Sequence, residues 1–296
     1  MRRERRAVFY NYLCADSARR KRFPLIPDWL SVERMSSIPE NRIEVALRIV
    51  EDQKDLFSRF FGNVASEWKG DGSRVTEADH ALSNSLKDAF AREFPDDAFL
   101  SEELPSGELS VDSEYAWLVD PIDGTNNFAR GLNTCSISVG LLRDGDPIYG
   151  CIYDHSFKAI FHGGPGKGLS IGNRQIQPRR EPISKQSIVA SQESSHGSAL
   201  EESTAVTSHF KTRALGSSAL HIAYVAAGMM DGSIAHLNHS WDIAAGVALL
   251  KATEADIHYL DESPFPMKTF NTASKPFGYI TGSPSMITAI RDVIDR

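Results

Sequence analysis

The chain has 296 residues, 41% of them hydrophobic and 24% charged, with a formal net charge of −7. That length and apolar content suit one large layered domain with a full core and exclude general disorder. The apolar runs are too short to cross a bilayer, and three cysteines without a C-x-x-C pair exclude a disulfide scaffold or a zinc ribbon. The acidic balance speaks against a dedicated nucleic-acid binder, so a reduced, cytoplasmic setting without a membrane partner is expected.

The charge is unevenly spread. Residues 1–34 hold a net of +5 and residues 35–296 a net of −12. The basic part lies in Arg2, Arg3, Arg5 and Arg6 and again in Arg19, Arg20, Lys21 and Arg22. A secretory signal needs an uninterrupted apolar stretch, which Asn11 breaks; Glu4 and Asp16 oppose an organelle transit peptide. The third reading is a weakly ordered basic extension over 1–34, or a start placed upstream of Met35, with one folded domain over 35–296.

Along the folded part, Ile43, Ala46, Leu47, Val50, Leu56, Phe57 and Phe60 follow helical spacing and predict a helix within 38–61. A polar break, Lys69-Gly70-Asp71-Gly72-Ser73, follows. A second helix is expected from Thr76, its cap, with Glu77 and Asp79 in the first turn and Pro95 beyond its end. Short strands are expected at 98–100, 116–119, 136–142 and 148–153, with hairpin turns at Asp144-Gly145 and Gly172-Asn173. A helix at 219–229, a strand at 233–237, a helix from Trp241 and a last helix opening at Ser283-Pro284 complete a mixed α/β or α+β layered pattern.

The chemistry concentrates in WLVDPIDGTNNF at 117–128. An apolar strand delivers Asp120 and Asp123 into a tight turn that Pro121 stiffens. Gly124 removes any side chain where the backbone must approach a ligand, and free N–H groups at Gly124-Thr125 can hold a phosphate. Carboxylates for hard cations beside amides for an anion are what a metal-dependent phosphatase requires; a solvated Asp-rich turn is the plainer alternative. Glu102-Glu103 is an acidic pair at a strand end, and Asp242 opens an apolar helix as either a cap or a ligand.

Other signals are structural. The run GGPGKG at 163–168 fails the P-loop pattern at Phe161 and Gly168 and reads as a hairpin. His236 and His239 lack a completing metal ligand, Ser217 and Ser218 lack an esterase elbow, Trp241 reads as a core anchor, and Cys135 and Cys151 read as small buried hydrophobes.

Together with VTEAD at 75–79, the Glu102-Glu103, 120–128 and 241–246 segments make the chain resemble the inositol monophosphatase family, over about 35–296. That family belongs to the fructose-bisphosphatase-like superfamily of lithium-sensitive, magnesium-dependent phosphatases. The resemblance implies an αβαβα sandwich of the sugar-phosphatase type, often found as a homodimer. It implies two Mg²⁺ ions, with a weaker third near Glu102 in some accounts of the family. Glu102, Asp120 and the carbonyl of Ile122 would hold the first ion, and Asp120, Asp123 and Asp242 the second. Asp79 and Thr125 would orient the attacking water, with Glu102 completing the catalytic set. Asp123, the amides of Gly124 and Thr125, and Gly216, Ser217 and Ser218 would meet the substrate. Lys69 sits near the family's loop lysine, one residue off in spacing to Asp79.

At one position the resemblance breaks. Inositol phosphatases carry a glutamate for substrate hydroxyls seven residues before the helix aspartate; here that residue is Ala235, with His236 or Asn238 as substitutes. Two glycines expected after Glu254-Ala255 are replaced by Asp256-Ile257. The implied activity is Mg²⁺-dependent hydrolysis of inositol 1-phosphate or a related polyol or sugar phosphate by metal-activated water, without a phosphoenzyme. Histidinol phosphate and adenosine 3′,5′-bisphosphate are alternative substrates. A metal-binding member acting in protein or RNA association is the non-enzymatic alternative.

Overall fold

The computed structural model describes residues 39–68, 74–191 and 197–295. The segment 1–34 and Lys69, both singled out above, lie outside the described residues. The chain opens with α1 (Glu40–Asp52) and α2 (Lys54–Phe60), where one helix is expected. Gln53 makes the break. Its side-chain amide donates to Ile49 O at 3.3 Å, while its own N–H reaches Val50 O, so the regular ladder skips one step.

The antiparallel pair β1 (Ser66–Trp68) and β2 (Arg74–Thr76) leads into α3 (Glu77–Glu93). Thr76 caps α3 as expected: its hydroxyl accepts from Ala78 N at 3.2 Å, and its own N–H donates to Asp79 Oδ2 at 2.7 Å. Strands β3 (Ala98–Ser101), β4 (Leu109–Ser110) and β5 (Tyr115–Asp123) follow, then the short helix α4 (Thr125–Ala129). A meander comes next: β6 (Ser136–Arg143), β7 (Asp146–Asp154), β8 (Ala159–Gly164), β9 (Gly168–Ile171) and β10 (Arg174–Ile176). Both expected hairpin turns are present; Asp144 and Gly145 take φ of 53° and 89° between β6 and β7. The GGPGKG run forms the β8–β9 turn.

The second half contains β11 (Ile188–Ser191), α5 (Gly197–His209), β12 (Lys211–Arg213), α6 (Ser218–Ala226), β13 (Gly232–Asn238) and α7 (Ser240–Lys251). It ends with β14 (Asp256–Tyr259), β15 (Thr269–Phe270), β16 (Phe277–Gly282) and α8 (Pro284–Ile294). Ser283 caps α8 through Met286 N at 3.2 Å, with proline at the first helical position.

Two sheets form the frame. The larger runs β10-β9-β8-β7-β6-β5-β3, antiparallel except for the β3–β5 pair. The smaller runs β12-β11-β13-β16-β14, with β12, β11 and β13 mutually parallel. Helices α1 and α3 cover one face of the large sheet, α6 and α7 lie between the sheets, and α5 and α8 close the far side. This is the αβαβα sandwich.

Strand β5 is buried along its whole length because both of its faces are covered. Its side chains alternate accordingly: Trp117 and Val119 join the core under α1 and α3, while Ala116 and Leu118 join the core around Trp241. Trp117 stacks on Phe90 at 4.2 Å, worth about 1 kcal/mol beyond area burial. Cys135 and Cys151 are buried, and Trp241 packs edge-on to Phe270. Among the described residues no helix is long and apolar enough to cross a membrane.

Candidate active site

The pair Asp120 and Asp123 lies at the end of β5, and a bulge decides how the two are presented. Asp120 pairs with Ser138 and Asp123 with Ser136, so three steps on β5 match two on β6. In a regular strand, residues three apart face opposite ways; the extra residue puts both carboxylates on one face. Pro121, which has no N–H to offer a ladder, sits inside the bulge. A turn is expected at 120–123, but the strand runs through Asp123 and the turn begins at Gly124. Asp120 Oδ1 accepts from Ile122 N at 3.0 Å, which fixes its rotamer.

A third carboxylate comes from α7. Asp242 is the third residue of that helix and accepts from His239 N at 2.7 Å, so the capping residue is His239 and Asp242 supplies the acid of the first turn. Ligand atoms of Asp120, Asp123 and Asp242 lie within 4.8 Å of one another. Glu102 follows β3 directly, its N–H on Val119 O at 3.2 Å, and its charge is the largest charge effect on Asp120.

Asp123 is held by the start of α6. Its Oδ2 accepts from the Ser217 hydroxyl, from Ala219 N at 2.9 Å and from Ser136 Oγ at 3.2 Å; Oδ1 accepts from Ser218 N at 3.2 Å. Burial raises its pKa, and these donors oppose the rise. Ser217 and Ser218 are buried, and the Ser218 hydroxyl donates to Asn238 Oδ1 at 2.7 Å. Thus Asp79, Asp123 and Asp242 each stand at the N-terminus of a long or medium helix, where the positive end of the dipole favours clustered anions.

Thr125 Oγ1 lies 2.9 Å from Ile122 O and 3.4 Å from Asp79 Oδ1, which joins α3 to the turn. Gly124 has φ of 87°, and a Cβ there would stand 2.9 Å from Gly216 O and 3.1 Å from Thr134 O. Two needs therefore require glycine at 124, the left-handed backbone and the close approach.

The remaining candidates are not at the cluster's centre. Ala235 is fully buried in the core between the sheets, and the His236 ring points to the other side of β13, its Nε2 3.8 Å from Glu202 Oε2 on α5. A cavity of about 500 Å³ lies between Ser240 and the 261–277 loop, and none of Asp79, Glu102, Asp120, Asp123 or Asp242 lines it. Asn238, named as a substitute for the missing glutamate, instead accepts from Ser218, while Ser136 and Asn127 carry further internal hydrogen bonds and were not singled out by sequence. Only Asn127, inside the 117–128 motif, had a local signal.

Crowded acids bind protons. Burial, first, and then the charges of Glu103 and Glu102 push Asp79 up to about 7 against its bonds from Thr76. Burial and the charges of Glu102, Asp123, Asp242 and Asp79 raise Asp120 well above its ordinary value. A carboxyl with a higher pKa folded than unfolded penalises folding once ionised. That penalty is absent below about pH 4 and grows as pH rises through about 7. In chelator the thermal midpoint is therefore expected to fall between about pH 4 and about pH 7, and a saturating divalent cation should reverse the trend. A midpoint independent of pH in chelator would contradict this coupling.

A layered αβαβα fold with buried carboxylates gathered beside a left-handed glycine turn is an arrangement that suits a hydrolase of phosphate esters. The profile of the Inositol monophosphatase family matches residues 35–282, and the chain belongs to that family. It is a phosphatase, a hydrolase of phosphate monoesters from a metal-dependent family, with an acidic cluster able to hold metal. It is 32% identical over 213 residues to the inositol-1-monophosphatase of Mesorhizobium japonicum, covering 69% of this chain and 80% of the relative. It is also 32% identical over 223 residues to the fructose-1,6-bisphosphatase of Pyrococcus furiosus, covering 72% and 82%. The extragenic suppressor protein suhB from Bartonella henselae shares the fold, with a TM-score of 0.77 at 23% identity over 86% of this chain and 99% of that one.

Proposed function

We propose that this phosphatase is a Mg²⁺-dependent phosphomonoesterase of inositol 1-phosphate or a related polyol or sugar phosphate, using water directly as nucleophile. The observation that carries the reading is the convergence of Asp120, Asp123 and Asp242 within 4.8 Å. An all-carboxylate set suits a hard cation, and Mg²⁺ is the hard cation usual at phosphate-transfer sites. Glu102, Asp120 and the Ile122 carbonyl would hold one ion and Asp120, Asp123 and Asp242 a second, and a weaker third, as some accounts of the family have it, would lie near Glu102. Bound there, the ions supply acidification of water and charge neutralisation at the leaving oxygen.

The chain's own groups do the rest. Asp79 Oδ1 and Thr125 Oγ1, 3.4 Å apart, orient the attacking water, and Asp79 is placed to accept its proton. The amides at Gly124 and Thr125 receive the phosphate oxygens, while Gly216, Ser217 and Ser218 wall the site and keep Asp123 in place. At the other end of the substrate, the Ala235 side chain offers no polar atom, so recognition of the hydroxyls passes to other groups. The names of the Mesorhizobium and Pyrococcus relatives span inositol and fructose phosphates, which favours polyol and sugar esters over histidinol phosphate or adenosine 3′,5′-bisphosphate.

The test is phosphate release at fixed Mg²⁺ from inositol 1-phosphate, fructose 1,6-bisphosphate, histidinol phosphate and adenosine 3′,5′-bisphosphate, with lithium inhibition as second readout. Mg²⁺-dependent, lithium-sensitive release from the first two, at least about tenfold faster in kcat/KM than from the others, is expected. No Mg²⁺-dependent release from any ester would overturn the reading.

A further inference from the structure

Leu215 is held by both of its backbone groups. Its carbonyl accepts from Asn127 Nδ2 at 2.7 Å, and its N–H donates to His221 Nε2 at 3.0 Å. The same Asn127 Nδ2 donates to Thr134 O at 2.7 Å and lies 3.0 Å from Thr134 Oγ1. One amide therefore ties α4, the approach to β6 and the segment leading into α6. Its orientation is settled by its partners, because turned over it would set its oxygen against two carbonyl oxygens.

The packing around this clamp has little slack. Gly216, next in sequence, has φ of 72°, and a Cβ there would stand 2.8 Å from Asn127 Nδ2. Gly124 meets Gly216 O and Thr134 O, the same two segments, from the other side. His221 is 1% exposed, and accepting at Nε2 requires the neutral ring with its proton on Nδ1. Burial lowers its pKa to about 4, in keeping with a ring that stays neutral at working pH. Two residues beyond Leu215 begin the donors of 217–219 that grip Asp123.

We propose that Asn127 and His221 are positioning residues: by locking Leu215 they set the 217–219 donors so that Asp123 stays aligned with Asp120 and with the Gly124-Thr125 turn. Neither side chain touches the reacting atoms. The inference rests on the reading of Asp123 as a metal ligand beside a phosphate-binding turn, and it adds the device that holds them in register.

The test uses the full chain with Asn127→Asp, His221→Phe and His221→Gln, measured with inositol 1-phosphate and with Mg²⁺ alone. Asn127→Asp keeps the shape but turns a carboxylate oxygen toward two carbonyls. His221→Gln places an oxygen where Nε2 accepts; His221→Phe keeps the ring without the acceptor. Asn127→Asp should lower kcat about 10–100-fold and raise the Mg²⁺ needed for half-activity, with substrate KM changed less than about threefold. His221→Phe should do the same more weakly, and His221→Gln should return to within about threefold of wild type.

Wild-type kcat and Mg²⁺ requirement in Asn127→Asp or His221→Phe would overturn the inference. So would equal loss in His221→Gln and His221→Phe, which would reduce the ring to packing. If Asn127→Asp fails to fold, the histidine pair still decides. If wild type is stabilised by Mg²⁺ but releases no phosphate, the proposed reaction fails while the clamp is still read, as loss of the Mg²⁺-induced thermal shift in the variants. A wild type without either response overturns both.

Discussion

Asp120→Asn is expected to abolish hydrolysis while making the metal-free protein more stable. The change is nearly isosteric, and the Asn oxygen can keep the bond from Ile122 N that Asp120 Oδ1 accepts at 3.0 Å. What it removes is the charge at the centre of the cluster, beside Glu102, Asp123, Asp242 and Asp79. As the ligand shared by both proposed ions, Asp120 should cost at least about 10³-fold in kcat/KM when neutralised, roughly 4 kcal/mol of transition-state stabilisation.

In chelator the sign is opposite. One buried charge fewer relieves the repulsion that raises Asp120 and Asp79, so the variant's midpoint should exceed wild type by about 2–4 °C per kcal/mol recovered. The gain should be smallest near about pH 4, where folded and unfolded chains both carry their protons, and grow as pH rises toward neutrality. Adding Mg²⁺ should reverse the order, because wild type gains about 2.7 kcal/mol at a hundredfold excess over Kd and the variant gains little. Calorimetry in chelator and in Mg²⁺, run beside the phosphate assay, reads all three effects. Wild-type turnover in Asp120→Asn would remove Asp120 from the site.

Much of this arrangement is legible in sequence wherever one residue acts on its neighbours. Thr76 and Asp79 announce the start of α3, Asp144-Gly145 the β6–β7 turn, and Ser283-Pro284 the start of α8. The αβαβα layering came with the family resemblance, since local periodicity reached only a mixed layered domain. Distant pairings had no such signal. The bulge at 120–123 exists only in the register of β5 against β6, and so the strand was read as ending too early. Ser217 caps its own helix and also grips Asp123, 94 positions away, and Asn127 reaches Leu215 across 88. The break at Gln53 depends on one side-chain amide choosing a backbone carbonyl, against a helical pattern that continues through it. His236 lies next to Ala235 in sequence but on the opposite face of β13, a consequence of the strand's period of two.

The second large effect is expected from a residue with no chemistry at all. Gly150 on β7 pairs directly with Gly140 on β6, and α7 lies across the two. A Cβ at Gly150 would stand 2.2 Å from Ala245 O and 2.8 Å from Ala245 C, both main-chain atoms that no rotamer change can move. Gly150→Ala must therefore shift the helix or the sheet, and overpacking of this kind costs about 1–3 kcal/mol. Asp242 stands three residues before Ala245 on the same helix, so the displacement is carried into the carboxylate cluster. The expected result is a midpoint lowered by about 2–12 °C together with a kcat/KM lowered about 10–100-fold, since a displacement near 1 Å suffices for that loss. Gly140→Ala serves as the comparison: its nearest contact is the Ala244 Cβ at 2.8 Å, with Ala245 N at 3.0 Å. Adding Ala244→Gly should restore much of Gly140→Ala, whereas Ala245→Gly should restore nothing in Gly150→Ala, because the obstructing atom belongs to the backbone. A Gly150→Ala protein with wild-type midpoint and kcat would show that α7 has slack against the sheet, and that the position of Asp242 is set by its own capping bond rather than by the glycine pair beneath it.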